Sequence, residues 1–155
     1  MEKVDIEDVN SRMGPAAVRK RLTESLGTTD VSLNYYELES GDSFAFGYHA
    51  HSDQEEVFYV QSGTVTFETG DEHFEVGAGE LVRFAPGEYQ QGTNEGSERV
   101  VALGLGAPKE SGNLDMRREC ENCGERTPNR IEMADSGEEI VTLCEQCDAE
   151  TGRFD

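Results

Sequence analysis

Lysine is almost absent from this chain. Three lysines (Lys3, Lys20, Lys109) and ten arginines face thirty-three acidic residues, giving a formal net charge of −20. Phosphate backbones are held by basic faces, and no stretch supplies one, so nucleic acid is excluded as a direct partner. Long apolar runs are missing too. Nothing approaches the roughly 20 residues of a bilayer-spanning helix, so no membrane association is expected. The opening Met1-Glu2-Lys3-Val4-Asp5-Ile6-Glu7 lacks the basic and apolar regions of a secretory signal, which predicts a cytoplasmic location. There is no internal repeat, and the acids are spread among Val, Ile, Phe and Tyr positions rather than gathered into a disordered tail. Such charge opposes compaction in dilute buffer, but at about 1 M salt the screening length falls to about 3 Å. Surface acid without lysine therefore reads as halophilic adaptation.

What is present divides the chain into four parts. Residues 1–30 read as an N-terminal extension with a short helix near Pro15–Leu26, Pro15 suiting a first turn and Gly27 a stop. Residues 31–108 carry short β-type runs: Val31–Leu38, Phe44–His51, Val57–Gln61, Thr64–Glu68, His73–Val76, Leu81–Phe84 and Arg99–Leu105. Turn residues such as Ser62-Gly63, Gly70-Asp71 and Pro86-Gly87 separate them, which predicts an all-β antiparallel sandwich or barrel. Residues 109–114 read as a linker, and residues 115–155 as a small four-cysteine module.

Cys120-Glu-Asn-Cys123 and Cys144-Glu-Gln-Cys147 are two C-x2-C pairs twenty residues apart, the spacing at which two knuckles place four sulfurs around one structural Zn2+. Asn129–Ala134 and Ile140–Leu143, joined by Asp135-Ser136-Gly137, predict a hairpin that brings the knuckles together, as in a zinc ribbon. A module this small takes its folding energy from the metal. Its own balance of twelve acids to five arginines again opposes nucleic acid, leaving a stabilising role or a protein partner.

His49-Ala50-His51, Glu56 and Gly63 form the pattern of two histidines one residue apart, a following glutamate and a later glycine. Gly79, Pro86, Gly87 and Asn94 follow as a second motif, with Gln90 where a third histidine would stand. On these residues the stretch 33–107 resembles the cupin family. The resemblance implies a cupin-like antiparallel β-barrel, or double-stranded β-helix, with a divalent-metal site and frequent dimerisation. Strand alternation independently puts His49 and His51 on one face, continued by the small Gly47 and Ala45, and puts Glu56 inward with Phe58 and Val60. Two imidazoles and a carboxylate suit Fe2+, Mn2+, Ni2+, Co2+ or Zn2+ with positions left open. A hydrogen-bonded polar cluster without metal uses the same groups. Gln90 is either a weaker donor or a hydrogen-bond partner for a bound water or ligand.

The same alternation sets Phe44, Phe46 and Tyr48 outward, as a stripe to be covered by the N-terminal helix or by a second subunit in a homodimer. His73 is expected in solvent, and Arg83 in a surface ion pair. The function expected is a small-molecule-binding or regulatory module with a degenerate metal site. The alternative is a metal-dependent enzyme of dioxygenase or isomerase type, as the resemblance implies.

Overall fold

A computed structural model describes all 155 residues. Thirteen strands form, all paired antiparallel, with one α-helix and a 3-10 turn at Ile6–Asp8 that Asp5 caps through its carboxylate. One wall of the barrel runs β1 (Val18–Arg21), β2 (Ser32–Leu38), β9 (Val100–Ala107), β4 (Glu55–Ser62), β7 (Leu81–Phe84). The facing wall contains β6 (Glu72–Gly77), β5 (Thr64–Thr69) and β8 (Gln91–Thr93). It continues through a bridge between Gln90 and His49 into β3 (Tyr48–His51). From β3 the pairing runs on through β10 (Leu114–Cys120), β11 (Glu125–Met133), β12 (Ile140–Cys144) and β13 (Glu150–Phe154). The cysteine-bearing hairpins thus extend a wall of the barrel.

The walls enclose an aromatic core. Phe44, Phe58, Phe67 and Phe84 are buried together, with Phe44 stacked on Phe58 at a centroid distance of 4.7 Å and Phe67 5.2 Å from Phe84. Gly92 makes room for this packing, because a Cβ there would lie 2.6 Å from Phe67 and 2.7 Å from Phe44. Burying such rings supplies much of the driving force for closure.

Two expectations need correcting. Pro15–Leu26 is not one helix: Val18–Arg21 is a strand, and α1 covers Leu22–Leu26, ending where Gly27 turns left-handed at φ 66°. The open edge of β2 captures the segment, Arg19 pairing with Tyr36 and Lys20 with Tyr35, and a sheet edge left unpaired costs more than a weak helix gains. Nor is Phe44–His51 one strand, since the backbone bends at residues 44–47. The bend breaks the alternation, so Phe44 turns into the core while Phe46 meets Phe154 at 5.1 Å. Tyr48 keeps its outward side, stacked on Tyr89 at 5.3 Å beneath the guanidinium of Arg126. The stripe is covered from within the chain.

Arg118 fixes the bend. It donates to the carbonyls of Phe46 and Thr151, tying the barrel to β13, and lies 5.4 Å from the Phe154 ring. Residues 109–113 are held as well. Gln54 donates to the carbonyls of Pro108 and Lys109, and Ser52 exchanges two bonds with Asn113. Phe67→Ala should lower unfolding free energy by about 3–5 kcal/mol in denaturant titrations, because the cavity left among four rings cannot collapse. A loss below about 1 kcal/mol would show that Phe67 is not central to the core.

Candidate metal centres

β3 is the strand that carries both histidines, and it is gripped on either side. On one flank His49 and Gln90 exchange backbone hydrogen bonds, N–H to O at 3.0 and 2.8 Å. On the other, His49 stands opposite Met116 and His51 opposite Leu114. Cross-strand partners share a face, so two apolar side chains of β10 lie beside the two imidazoles. Glu56 reaches the same point from β4, between Phe84 and Gly106 on the neighbouring strands. The expected convergence is therefore present. His49 Nε2 and His51 Nε2 each lie 3.5 Å from a Glu56 oxygen, and the three ligand atoms fall within 4.8 Å of one another.

The hydrogen bonds define the tautomer of His49. Its Nδ1 is 3.0 Å from the Gly47 carbonyl, which can only accept, so Nδ1 carries the proton and Nε2 presents a lone pair. Gln90, 1% exposed, donates from its amide to that lone pair at 3.2 Å and to Glu56 Oε2 at 2.8 Å. Its two amide hydrogens thus occupy acceptors that a cation would otherwise take. Gln90 Oε1 and His51 Nδ1 are left buried without any partner. Burial pushes the Glu56 carboxyl up, but the hydrogen bonds and charge that His49 and His51 supply when protonated outweigh it and hold the pKa at about 2. The group stays ionised throughout the neutral range.

His49, His51 and Glu56 border a cavity of about 200 Å³ whose other lining includes Phe44, Phe58, Leu114, Met116, Ile131 and Arg19. Gly47 does not open space as expected, because β10 fills it: a Cβ there would meet the Arg117 carbonyl at 2.7 Å. Ala45 does line the cavity. Arg19 was not singled out from the sequence. The signal was the run Val18-Arg19-Lys20-Arg21, three consecutive cations in so acidic a chain. His73 is exposed, and Arg83 pairs with Glu55 at the surface.

The second cluster forms at the far end of the same wall. Cys120, Cys123, Cys144 and Cys147 place their sulfurs within 4.8 Å of one another as free thiols. The two knuckles repeat one geometry. Gly124 N–H donates to the Cys120 carbonyl at 2.8 Å and Asp148 N–H to the Cys144 carbonyl at 2.9 Å, with left-handed φ of 73° and 60°. The Thr127 hydroxyl, followed by backbone N–H groups, draws the Cys144 thiol down to about 6, while hydrogen bonding to Cys147 and burial push Cys123 up to about 12. Four sulfurs this close cannot all ionise without a cation, and a tetrahedral thiolate set selects zinc or iron.

Residues 34–105 match the family model for the cupin domain. No protein of curated function shows a significant sequence match. Among solved structures, a putative sugar phosphate isomerase from Acidithiobacillus ferrooxidans superposes with a TM-score of 0.63 at 22% identity, covering 92% of this chain and 89% of that one. A sugar phosphate isomerase of the cupin superfamily from Silicibacter pomeroyi gives a TM-score of 0.59 at 18% identity, covering 96% and 91%. The polyketide cyclase RemF from Streptomyces resistomycificus gives 0.63 at 24%, covering 78% and 88%. Residues 34–105 are therefore a cupin domain by the matching family model, and the fold that carries them is the double-stranded β-helix.

Proposed function

We propose that the protein binds a small molecule in its barrel through a divalent cation held by His49, His51 and Glu56, and that a structural Zn2+ at Cys120, Cys123, Cys144 and Cys147 fastens the wall closing that cavity. The observation that carries this reading is the convergence of two imidazole nitrogens and an ionised carboxylate beside an apolar cavity. Two such nitrogens and a carboxylate oxygen suit Fe2+, Mn2+, Ni2+, Co2+ or Zn2+, and three protein ligands leave positions for water or ligand. His49, with Nδ1–H fixed on a backbone carbonyl, has the outer hydrogen bond typical of metal-ligating imidazoles. Gln90 is the switchable member. A half-turn of its amide exchanges nitrogen for oxygen, so that Oε1, now without a partner, faces the cation instead of the NH2 group facing the anion.

A second reading, catalysis on that cation, draws on the free space beside the donors. The lining of Phe44, Phe58, Leu114, Met116 and Ile131 suits a compact apolar substrate better than the polyhydroxylated sugar phosphates named for two structural relatives. Turnover that depends on added Fe2+ or Mn2+ and disappears in His49→Ala would decide for the enzyme.

Elemental analysis of anaerobically reconstituted protein should find zinc plus a second divalent metal. His51→Ala should lose the second and keep zinc, while Cys120→Ser should lose zinc. Zinc alone, unchanged by His51→Ala, would rule out the barrel site. Gln90→His should restore a third imidazole and tighten Mn2+ about tenfold, or ~1.4 kcal/mol, in competition titrations. Unchanged affinity would place position 90 outside the coordination shell.

A further inference from the structure

Eight of the ten arginines sit in ion pairs with carboxylates. Arg118 uses its donors on backbone carbonyls. Arg19 alone has neither, in a chain where carboxylates outnumber cations by more than two to one. Its Nε is buried without a partner, and its side chain borders the same cavity as His49, His51 and Glu56.

The fold puts it there for a definite reason. Arg19 pairs directly with Tyr36 across β1 and β2, so the two side chains share a face. Tyr36 is 6% exposed and belongs to the aromatic core, so that face is the barrel interior. Arg19 is close enough for its charge to act on the Tyr36 phenol. Four buried side-chain polar atoms lack partners in the whole chain: Arg19 Nε, His51 Nδ1, Gln90 Oε1 and Asn34 Oδ1. The first two belong to residues lining this cavity, and the third to the amide that bonds His49 and Glu56. Unsatisfied buried groups are rare in native proteins, and their concentration at one cavity marks the place where something else supplies their partners.

We propose that Arg19, with Tyr36 beside it, is the carboxylate-binding end of this cavity, so that the ligand is a small organic acid with an apolar body. Its carboxylate meets Arg19, its body lies against Phe44, Phe58 and Met116, and its other end faces His49, His51 and Glu56. This deepens the proposed small-molecule role of the same cavity. A guanidinium edge and a phenol offer a planar fork that matches two carboxylate oxygens. About 200 Å³ lies below the usual range for drug-sized ligands, which limits the body to a few carbons. A phosphate ester fits less well, because its second negative charge would face the Glu56 carboxylate with a single guanidinium to balance it.

The test compares isovalerate with isovaleramide, equal in shape but not in charge, by calorimetric titration of the full chain. Wild type should bind isovalerate about tenfold more tightly than the amide, the difference one charge-assisted hydrogen-bonded pair provides. Arg19→Met should remove that preference, and Tyr36→Phe should reduce it while leaving the fold less disturbed. The proposal is overturned if wild type binds both probes alike or neither, if Tyr36→Phe and Arg19→Met both keep the full preference, or if inorganic phosphate binds more tightly than isovalerate. Mn2+ titrated into the same preparations reads the metal site by itself. Mn2+ uptake without carboxylate preference sinks the Arg19 assignment and leaves the metal reading standing, and the converse result does the reverse.

Discussion

The pairing of β3 with β10 is the contact on which the rest of the molecule depends. It joins the cysteine hairpins to the barrel at the strand that carries both imidazoles. Four residues of β3 are too few to hold a register alone, and the strand is fixed because Gln90 bonds it on one edge and residues Leu114–Arg117 on the other. The site inherits that rigidity. His49 cannot swing without breaking either the Gly47 contact or the backbone pair with Gln90. Binding sites that must hold angles to within tens of degrees are built on gripped strands for this reason.

Gln90 shows how one residue can serve fold and site together. Its backbone closes the barrel wall, and its amide neutralises part of the field between Glu56 and His49. Without those hydrogens the Glu56 carboxylate would face an imidazole lone pair across 3.5 Å with nothing between them. An imidazole at position 90 would need a cation to play the same part. The glutamine amide therefore pairs Glu56 with His49 without requiring a cation between them.

How much of this could be read from the sequence depends on which signals were local. The strand alternation of Glu56, Phe58 and Val60, the histidine pair and the two C-x2-C knuckles each depend on a few neighbouring residues, and each appears where expected. The helix over Pro15–Leu26 does not, because the deciding partner is the edge of β2, and an open edge cannot be seen from residues 15–26 alone. The outward place of Phe44 failed for a related reason. Period-two counting assumes an unbroken strand, and Arg118, seventy-two positions beyond Phe46, helps hold the bend that breaks it. Arg19 was hidden by the first of these effects, since its inward direction results from pairing with Tyr36.

The hairpins are more than an appendage, because the cavity is not complete without them. Leu114 and Met116 of β10 and Ile131 of β11 form part of its wall. The interior of those hairpins is thin and polar: Thr127, Asn129 and Thr142 are buried, and Thr151 bonds both Asn129 and Thr142. Such a core buries little apolar surface, so an ion held by the four sulfurs would supply much of the free energy that orders it. On the proposed function, an ion at the cysteines would stabilise the wall on which the ligand rests, and by linkage a ligand against that wall would stabilise the ion. Arg118 and the β3–β10 pairing are the contacts that join the cysteine hairpins to the barrel. Reciprocal coupling of this kind requires no conformational switch beyond the local order of β10–β13, and its strength is bounded by the stability of those strands without metal.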